Sequence, residues 1–299
     1  MKIKTVFDVL TRVSKNPANK GHRVMPLVRF AGWQAYKRVT KRHYDAHVWG
    51  GQATLRCYPD SAIASSVLYA HSGLADFHEM MFLRHYLRSG DHFLDIGSNI
   101  GIYTLFAATL NGPNGQIVSF EPDELARSRL CENIEINKLK TRVSIHPVAL
   151  TDTTGTLRFT CGRDATNQIQ TDDDDTNAIK VACARLDDET RAADGQRLQF
   201  AAGKIDIEGA EPLAFAGAPE MLANANPPVW IIEINGRLRS FGTTEDQFEA
   251  WLAERNYTFA LYDGRRRILR HAPAAWKHAQ NVIAVHKNHW NNVVERVSS

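Results

Sequence analysis

The chain of 299 residues has no run of about eighteen apolar residues, so no transmembrane helix is expected. Met1 to Leu10 lack the apolar centre of a secretory signal. Only four cysteines occur, Cys57, Cys131, Cys161 and Cys183, and none forms a Cys-x-x-Cys pair. That argues against a zinc site or disulfide framework and for reduced thiols, hence a cytoplasmic setting. No histidine–carboxylate cluster stands out by spacing, so no metal is expected. Internal repeats and low-complexity tracts are missing too. The run Asp172–Asp175 invites a calcium reading. Adjacent carboxylates cannot all face one ion, however, and the EF-hand spacing with its glycine is lacking. A solvated loop is expected there.

What is present begins with charge. The formal net charge of +3 hides an asymmetry: residues 1–60 carry +9 and the remainder −6. A basic extension could meet nucleic acid, an anionic membrane or an anionic glycan. The favoured reading is a solvated helical surface packed beside an acidic body, because the charges alternate with apolar residues. Apolar spacing predicts a helix over 3–13, then one over 24–42 that could lie on a membrane but more readily packs on other helices. The segment 47–58 reads as two short strands around Gly50-Gly51. Pro59-Asp60-Ser61 reads as a turn and residues 69–74 as a loop, and a helix is expected over 76–87.

The chain is organised around Phe93-Leu94-Asp95-Ile96-Gly97-Ser98-Asn99-Ile100-Gly101. An apolar run ends in an acid, a Gly-containing turn follows, and Ile102, Leu105, Phe106 and Leu110 then repeat at helical spacing. Such a turn lets backbone approach a ligand. A second strand, 116–121, ends in Glu121, placed to accept hydrogen bonds from both ribose hydroxyls of a nucleoside. A dinucleotide fingerprint needs Gly-x-Gly-x-x-Gly. Here Asn99 stands where pyrophosphate would need glycine, and the last spacing is one residue short. Asp95 would repel a pyrophosphate and attract an ammonium group. S-adenosylmethionine, with an amino group, a sulfonium, a ribose and no phosphate, fits these residues better.

Further alternation follows: helix 123–137, strand 142–149, strands at 157–159 and 179–184 around a polar loop, strand 198–207, helix 211–217, strand 229–234, a capping box at Thr244-x-x-Gln247, and strands 257–262 and 282–286. This order implies a Rossmann-like α/β fold with right-handed crossovers. The expected organisation is a basic N-terminal extension of helices and a short hairpin over 1–74. A domain over 75–299 follows, carrying an inserted strand–loop segment at about 150–190. Asp206, Glu208, Glu233 and Asn235 close the fourth and fifth core strands, where open α/β sheets place their chemistry. Asp206 is the first candidate for orienting an acceptor or the methionine amine, and Glu208 the second. Either could take a hydroxyl proton if burial raised its pKa. Base-amine methyltransferases use an Asp/Asn-Pro-Pro-aromatic turn at this place. Asp206-Ile-Glu-Gly209 offers two carboxylates instead, which suit hydroxyl donors.

The chain resembles the FkbM family of class I S-adenosylmethionine-dependent methyltransferases. The resemblance rests on Asp95–Gly101, Ser119-Phe-Glu-Pro122, Asn133 and Asn137, Val148-Ala-Leu-Thr-Asp152, Leu186-Asp187, Lys204-Ile-Asp-Ile-Glu-Gly-Ala-Glu211 and Ile231-Ile-Glu-Ile-Asn235. These occur in order over about half the chain. It implies a seven-stranded, mostly parallel sheet with an antiparallel edge hairpin. It also implies cofactor contacts from Asp95, through its carboxylate or a water, and from Gly97, Ser98, Asn99, Gly101, Glu121 and Pro122. Adenine is expected near Val148 and Ala149, read by backbone and apolar walls because no acid stands there. Tyr69, His71 and Glu79 become candidate pocket residues, and Asn167 and Gln168 in the insertion could touch substrate. Family members O-methylate sugars, glycan residues and polyketide-type hydroxyls. The expected function is therefore O-methylation of a small-molecule or glycan acceptor, with no nucleic-acid partner, and a homo-oligomer is compatible with it. The alternatives are an RNA- or membrane-associated methyltransferase recruited by the basic N-terminus, and a non-catalytic domain that binds the cofactor.

Overall fold

The computed structural model describes residues 3–22, 24–160, 169, 178–191 and 195–299, with side chains described from residue 9 onward. Asn167, Gln168 and Asp172–Asp175 lie outside the described residues. The N-terminal part comprises α1 (Ile3–Lys15), α2 (Val24–Thr40), a hairpin of β1 (Tyr44–Val48) and β2 (Ala53–Cys57), and α3 (Ala62–Tyr69). The sequence reading has no helix at α3. Ser61 caps it by accepting the Ala64 N–H at 3.3 Å, and Ala64, Val67 and Tyr69 are buried.

Then come α4 (Phe77–Tyr86), β3 (His92–Ile96), α5 (Ile102–Leu110), β4 (Ile117–Phe120), α6 (Glu124–Ile136) and β5 (Val143–His146). The expected strand 142–149 breaks at Pro147, which has no N–H for a ladder. Its remainder, β6 (Ala149–Leu150), joins β7 (Gly155–Thr160) and β8 (Ala178–Ala184) in a separate three-stranded sheet. After α7 (Leu186–Glu189) follow β9 (Phe200–Ile205), α8 (Glu211–Ala216), α9 (Pro219–Ala223), β10 (Val229–Glu233) and α10 (Glu245–Glu254), which starts with the expected Thr244–Gln247 capping box. The chain ends with β11 (Tyr257–Asp263), β12 (Ile268–His271), β13 (Asn281–His286) and α11 (Trp290–Ser298).

The main sheet runs β12-β11-β13-β10-β9-β3-β4-β5. The five strands from β10 to β5 are parallel, and β13 lies antiparallel between β10 and β11. It is a Rossmann-like sheet with eight strands instead of the expected seven. The extra strand, β12, is four residues long and buries only Leu269, too short an alternation to read as a strand. The chain leaves β3 outward to β4 and β5 and then returns to β9. The strand order thus reverses between β3 and β9, where a ligand crevice forms.

Alternation along β3 divides the core. Phe93 joins a cluster with Trp33, Leu55, Phe106 and Val293, whereas Leu94 and Ile96 join one with Phe120, Phe215, Trp230 and Phe248. The N-terminal helices therefore share a hydrophobic core with one face of the sheet. Two asparagines of α6 tie the hairpin down by imitating a neighbouring strand. Asn133 Oδ1 accepts the Arg56 N–H at 2.8 Å, and Asn137 Oδ1 accepts the Thr54 N–H at 2.8 Å. Asn133 Nδ2 also donates to the Ile100 carbonyl at 2.9 Å, so the hairpin is coupled to the turn after β3.

Candidate active site

The turn after β3 is closed on itself. Gly97 and Ser98 both donate their N–H to the Phe120 carbonyl at 3.0 Å, and Gly101 donates to Ser98 at 2.8 Å. Asn99 N–H donates to Glu121 Oε2 at 2.8 Å, and Ile100 N–H to Asn99 Oδ1 at 2.8 Å. All five amides are thereby spent inside the protein. A pyrophosphate needs free amides pointing at it, so this turn is not a phosphate cradle. Gly97 is demanded by the protein itself: at φ 77°, a Cβ there would sit 2.0 Å from the Asp206 carbonyl oxygen. The turn after β3 and the turn after β9 are therefore in backbone contact.

A cleft opens beside that contact. Gly97, Asn99, Glu121 and Pro122 form one side, Val148, Ala149, Leu150 and Phe159 an apolar wall, and Asp206 and Glu208 the far end. Ile63 of α3 also reaches it. Glu121 is buried, and burial pushes its carboxyl up to about 7 against the N–H groups of Asp123 and Asn99 that hold the charge. Each oxygen accepts one amide hydrogen, Oε1 from Asp123 at 2.9 Å. A second lone pair on each stays available for a ligand hydroxyl.

Beyond the cleft lies a cluster of acids around one buried ammonium. Lys204, on β9, has a side chain 2% exposed; its Nζ lies 2.9 Å from Asp206 Oδ2 and 5.2 Å from the Tyr103 ring centre. The Tyr103 hydroxyl donates to Asp76 Oδ2 at 3.0 Å. Burial would raise the Asp206 pKa, but the Lys204 charge overrides it and holds that carboxyl below its ordinary value. Glu233 goes the other way, pushed up to about 9 by burial and then by the Asp206 charge. The two carboxyls are thus pushed in opposite directions, Asp206 toward its ionised form and Glu233 toward its protonated one. Asn235 Nδ2 donates to Glu208 Oε2 at 2.6 Å and to Glu233 Oε2 at 3.0 Å, and Arg237 pairs with Glu208 at 3.0 Å. Glu211 does not join this end. It is buried and accepts the N–H of Ile207 at 3.0 Å and of Gly209 at 3.3 Å, which fixes the turn bearing Asp206 and Glu208.

Residues 95–259 match the family model described as the methyltransferase FkbM domain. That is more than half of the chain. The chain belongs to the FkbM methyltransferase family. No curated protein matches it. Among solved structures, a methyltransferase FkbM from Methylobacillus flagellatus KT is similar at 14% identity and a TM-score of 0.44, over 87% of this chain and 59% of that one. This chain therefore spans about three-fifths of that protein's length. The METTL16 MTase domain is similar at 12% identity and a TM-score of 0.44, over 91% and 96% of the two chains. A candidate methyltransferase from Streptococcus mutans, solved in complex with SAH, is similar at 11% identity and a TM-score of 0.40, over 69% of this chain and 94% of that one.

The structure of this FkbM-family chain brings together Gly97, Asn99, Glu121, Pro122, Val148, Ala149, Asp206 and Glu208 around the cleft, and Glu233 and Asn235 behind it. Asp95 is placed differently from the sequence reading. Its carboxylate is buried beneath the turn, and Oδ2 accepts the Thr104 hydroxyl at 2.5 Å. Ser98 is likewise buried, its hydroxyl bound to the Phe120 carbonyl at 3.2 Å, and Gly101 begins α5 at φ 91° with Leu130 against it. Tyr69 and His71 are not at the cleft. Tyr69 is buried under α2, with its hydroxyl on Gln34 at 3.0 Å, and His71 stacks on His22 at 3.7 Å. Both belong to α3 and its end, which pack on the N-terminal helices. Glu79, on α4, is raised to about 7, by burial first and by the charge of Asp76 next. The sequence reading finds no metal-like cluster, whereas the fold places Asp206, Glu208 and Glu233 with ligand atoms within 4.8 Å of one another. Their convergence comes from two strand ends 25 or more residues apart, and Lys204 already supplies a cation to it. Lys204, Tyr103, Asp76 and Arg237 were missed. A lysine inside a central strand is costly unless paired, and that cost was the available signal.

Proposed function

We propose that this methyltransferase uses S-adenosylmethionine to O-methylate a hydroxyl of a sugar, glycan or secondary metabolite. One observation carries the reading: the turn after β3 has no amide left for phosphate, while Glu121 presents a carboxylate with open lone pairs to the same cleft. When bound, the cofactor supplies an activated methyl group on a sulfonium. Glu121 would hold the two ribose hydroxyls, and Val148, Ala149, Leu150 and Phe159 would shield the adenine. The work left to the protein is alignment of the acceptor oxygen in line with the methyl carbon. Asp206, ionised beside Lys204, accepts the hydrogen bond of the acceptor hydroxyl. It also takes the proton that the oxygen sheds once it has gained the methyl.

A neutral polyol suits this end of the cleft, because carboxylates accept from hydroxyls. A phosphate backbone would meet the carboxylates of Asp206 and Glu208 at this end of the cleft, where like charges repel. The test has two parts. Calorimetric titration with S-adenosylmethionine should show saturable binding that Glu121→Ala weakens at least about tenfold; equal affinity in the variant overturns the cofactor assignment. Incubation with a labelled methyl donor and separated glycan, lipid and RNA fractions should place label on a glycan or metabolite oxygen. Label in RNA alone overturns the acceptor class.

A further inference from the structure

The geometry of α2 points to a surface that docks on an anionic lipid bilayer. The helix is apolar on two sides. Pro26, Phe30 and Trp33 are buried against the protein. On the outside, Val24, Met25, Leu27, Val28 and Val39 are 74%, 53%, 41%, 56% and 84% exposed. Ala31 and Ala35 are exposed between them. At ~100° per residue these outer positions fill an arc of about 160°, and Arg38 is the one charged residue within it. A helix apolar on opposite sides is ordinarily buried on both, yet among the described residues none covers the outer arc.

Charge selects the occupant. Between Asp8 and Asp45 the sequence has nine Lys or Arg and no Asp or Glu. A second copy docked through the same face would set this cationic stretch against itself. An anionic lipid surface attracts it, and the apolar arc can then enter the boundary between headgroups and acyl chains. Among the described residues no helix is long and apolar enough to cross a membrane, so the contact is interfacial. Docking of this kind would bring the methyltransferase to an acceptor carried on a lipid, but it stands whatever the acceptor is.

The test is cosedimentation of the full chain with vesicles. Vesicles of equal parts phosphatidylglycerol and phosphatidylcholine should retain the protein, pure phosphatidylcholine should not, and raised salt should release it. The triple variant Val24→Glu/Val28→Glu/Val39→Glu changes only exposed positions, and its far-ultraviolet circular dichroism should match the parent. Its partitioning should fall at least about tenfold. Arg38→Glu/Arg42→Glu, which leaves the apolar arc nearly intact, should lose binding to the same vesicles. The proposal is overturned by no binding to the anionic vesicles, by binding that the triple variant leaves unchanged, or by binding of RNA with none of vesicles. It is also overturned by a parent dimer in light scattering that the triple variant makes monomeric, which would give the arc to a second copy.

Discussion

Lys204→Met removes a cation buried among the acids behind the cleft, at nearly constant side-chain volume. Taking away one partner of a buried ion pair costs about 3–5 kcal/mol, because the remaining charge is left in a poorly solvated place. The lower end applies here, since the Asp206 side chain is 38% exposed and water can screen it. The lost contact with the Tyr103 face adds about 1 kcal/mol, for a total of roughly 3–4 kcal/mol near pH 7.5. At about 2–4 °C per kcal/mol, the thermal midpoint should fall by roughly 6–16 °C. The pH dependence separates this cause from lost packing. In the parent, Asp206 lies below its ordinary pKa, so its contribution is full above the unfolded value and lost as pH falls through the folded one. In the variant only burial and the neighbouring acids act on Asp206, and its pKa lies above the unfolded value. The penalty then begins near pH 4 and grows as pH rises. The gap between parent and variant should therefore shrink by about half from pH 7.5 to pH 5 in thermal unfolding followed by circular dichroism. A gap below about 1 kcal/mol at pH 7.5, or one that does not narrow in acid, refutes the view that Lys204 neutralises the cluster.

Two further outcomes follow from the same coordinates. Gly97→Ala and Gly101→Ala both place a side chain at positive φ, but a Cβ at 97 meets the Asp206 carbonyl at 2.0 Å and one at 101 meets the movable tip of Leu130 at 2.4 Å. In urea unfolding Gly97→Ala should cost more than about 3 kcal/mol and Gly101→Ala about 1–2 kcal/mol; equal shifts would deny the contact between the two turns. The ligand-free protein should also lose stability as pH rises from 6 to 9. Burial raises Asp95 to about 6, Glu79, Glu121 and Glu211 to about 7, and Glu233 to about 9. A carboxyl raised on folding stabilises fully below its unfolded pKa and loses that contribution as pH climbs through the folded value. A thermal midpoint that is flat or rising over this range would contradict the raised values.

What the sequence made legible is what lies close together along the chain. The strand, turn and helix around Asp95–Gly101 announce themselves through apolar spacing, and Glu121 is one strand further on. Both survive as elements because neighbouring residues alone decide them. Side-chain direction is another matter. Asp95 stands at the strand tip as expected, and its buried carboxylate accepts the hydroxyl of Thr104, nine positions later on α5. The family resemblance makes Tyr69 and His71 candidate pocket residues, but α3 is capped by Ser61 and Tyr69 packs toward α2. The acid cluster was legible only as separate strand ends. Its protonation pattern depends on Lys204 standing next to Asp206, with Asp76 and Tyr103 arriving from α4 and α5. No periodicity encodes that arrangement. One ammonium decides which of two neighbouring carboxyls stays charged. The residue proposed to receive the acceptor's proton is thus selected by a side chain that, in sequence, looks like a misplaced charge in a buried strand.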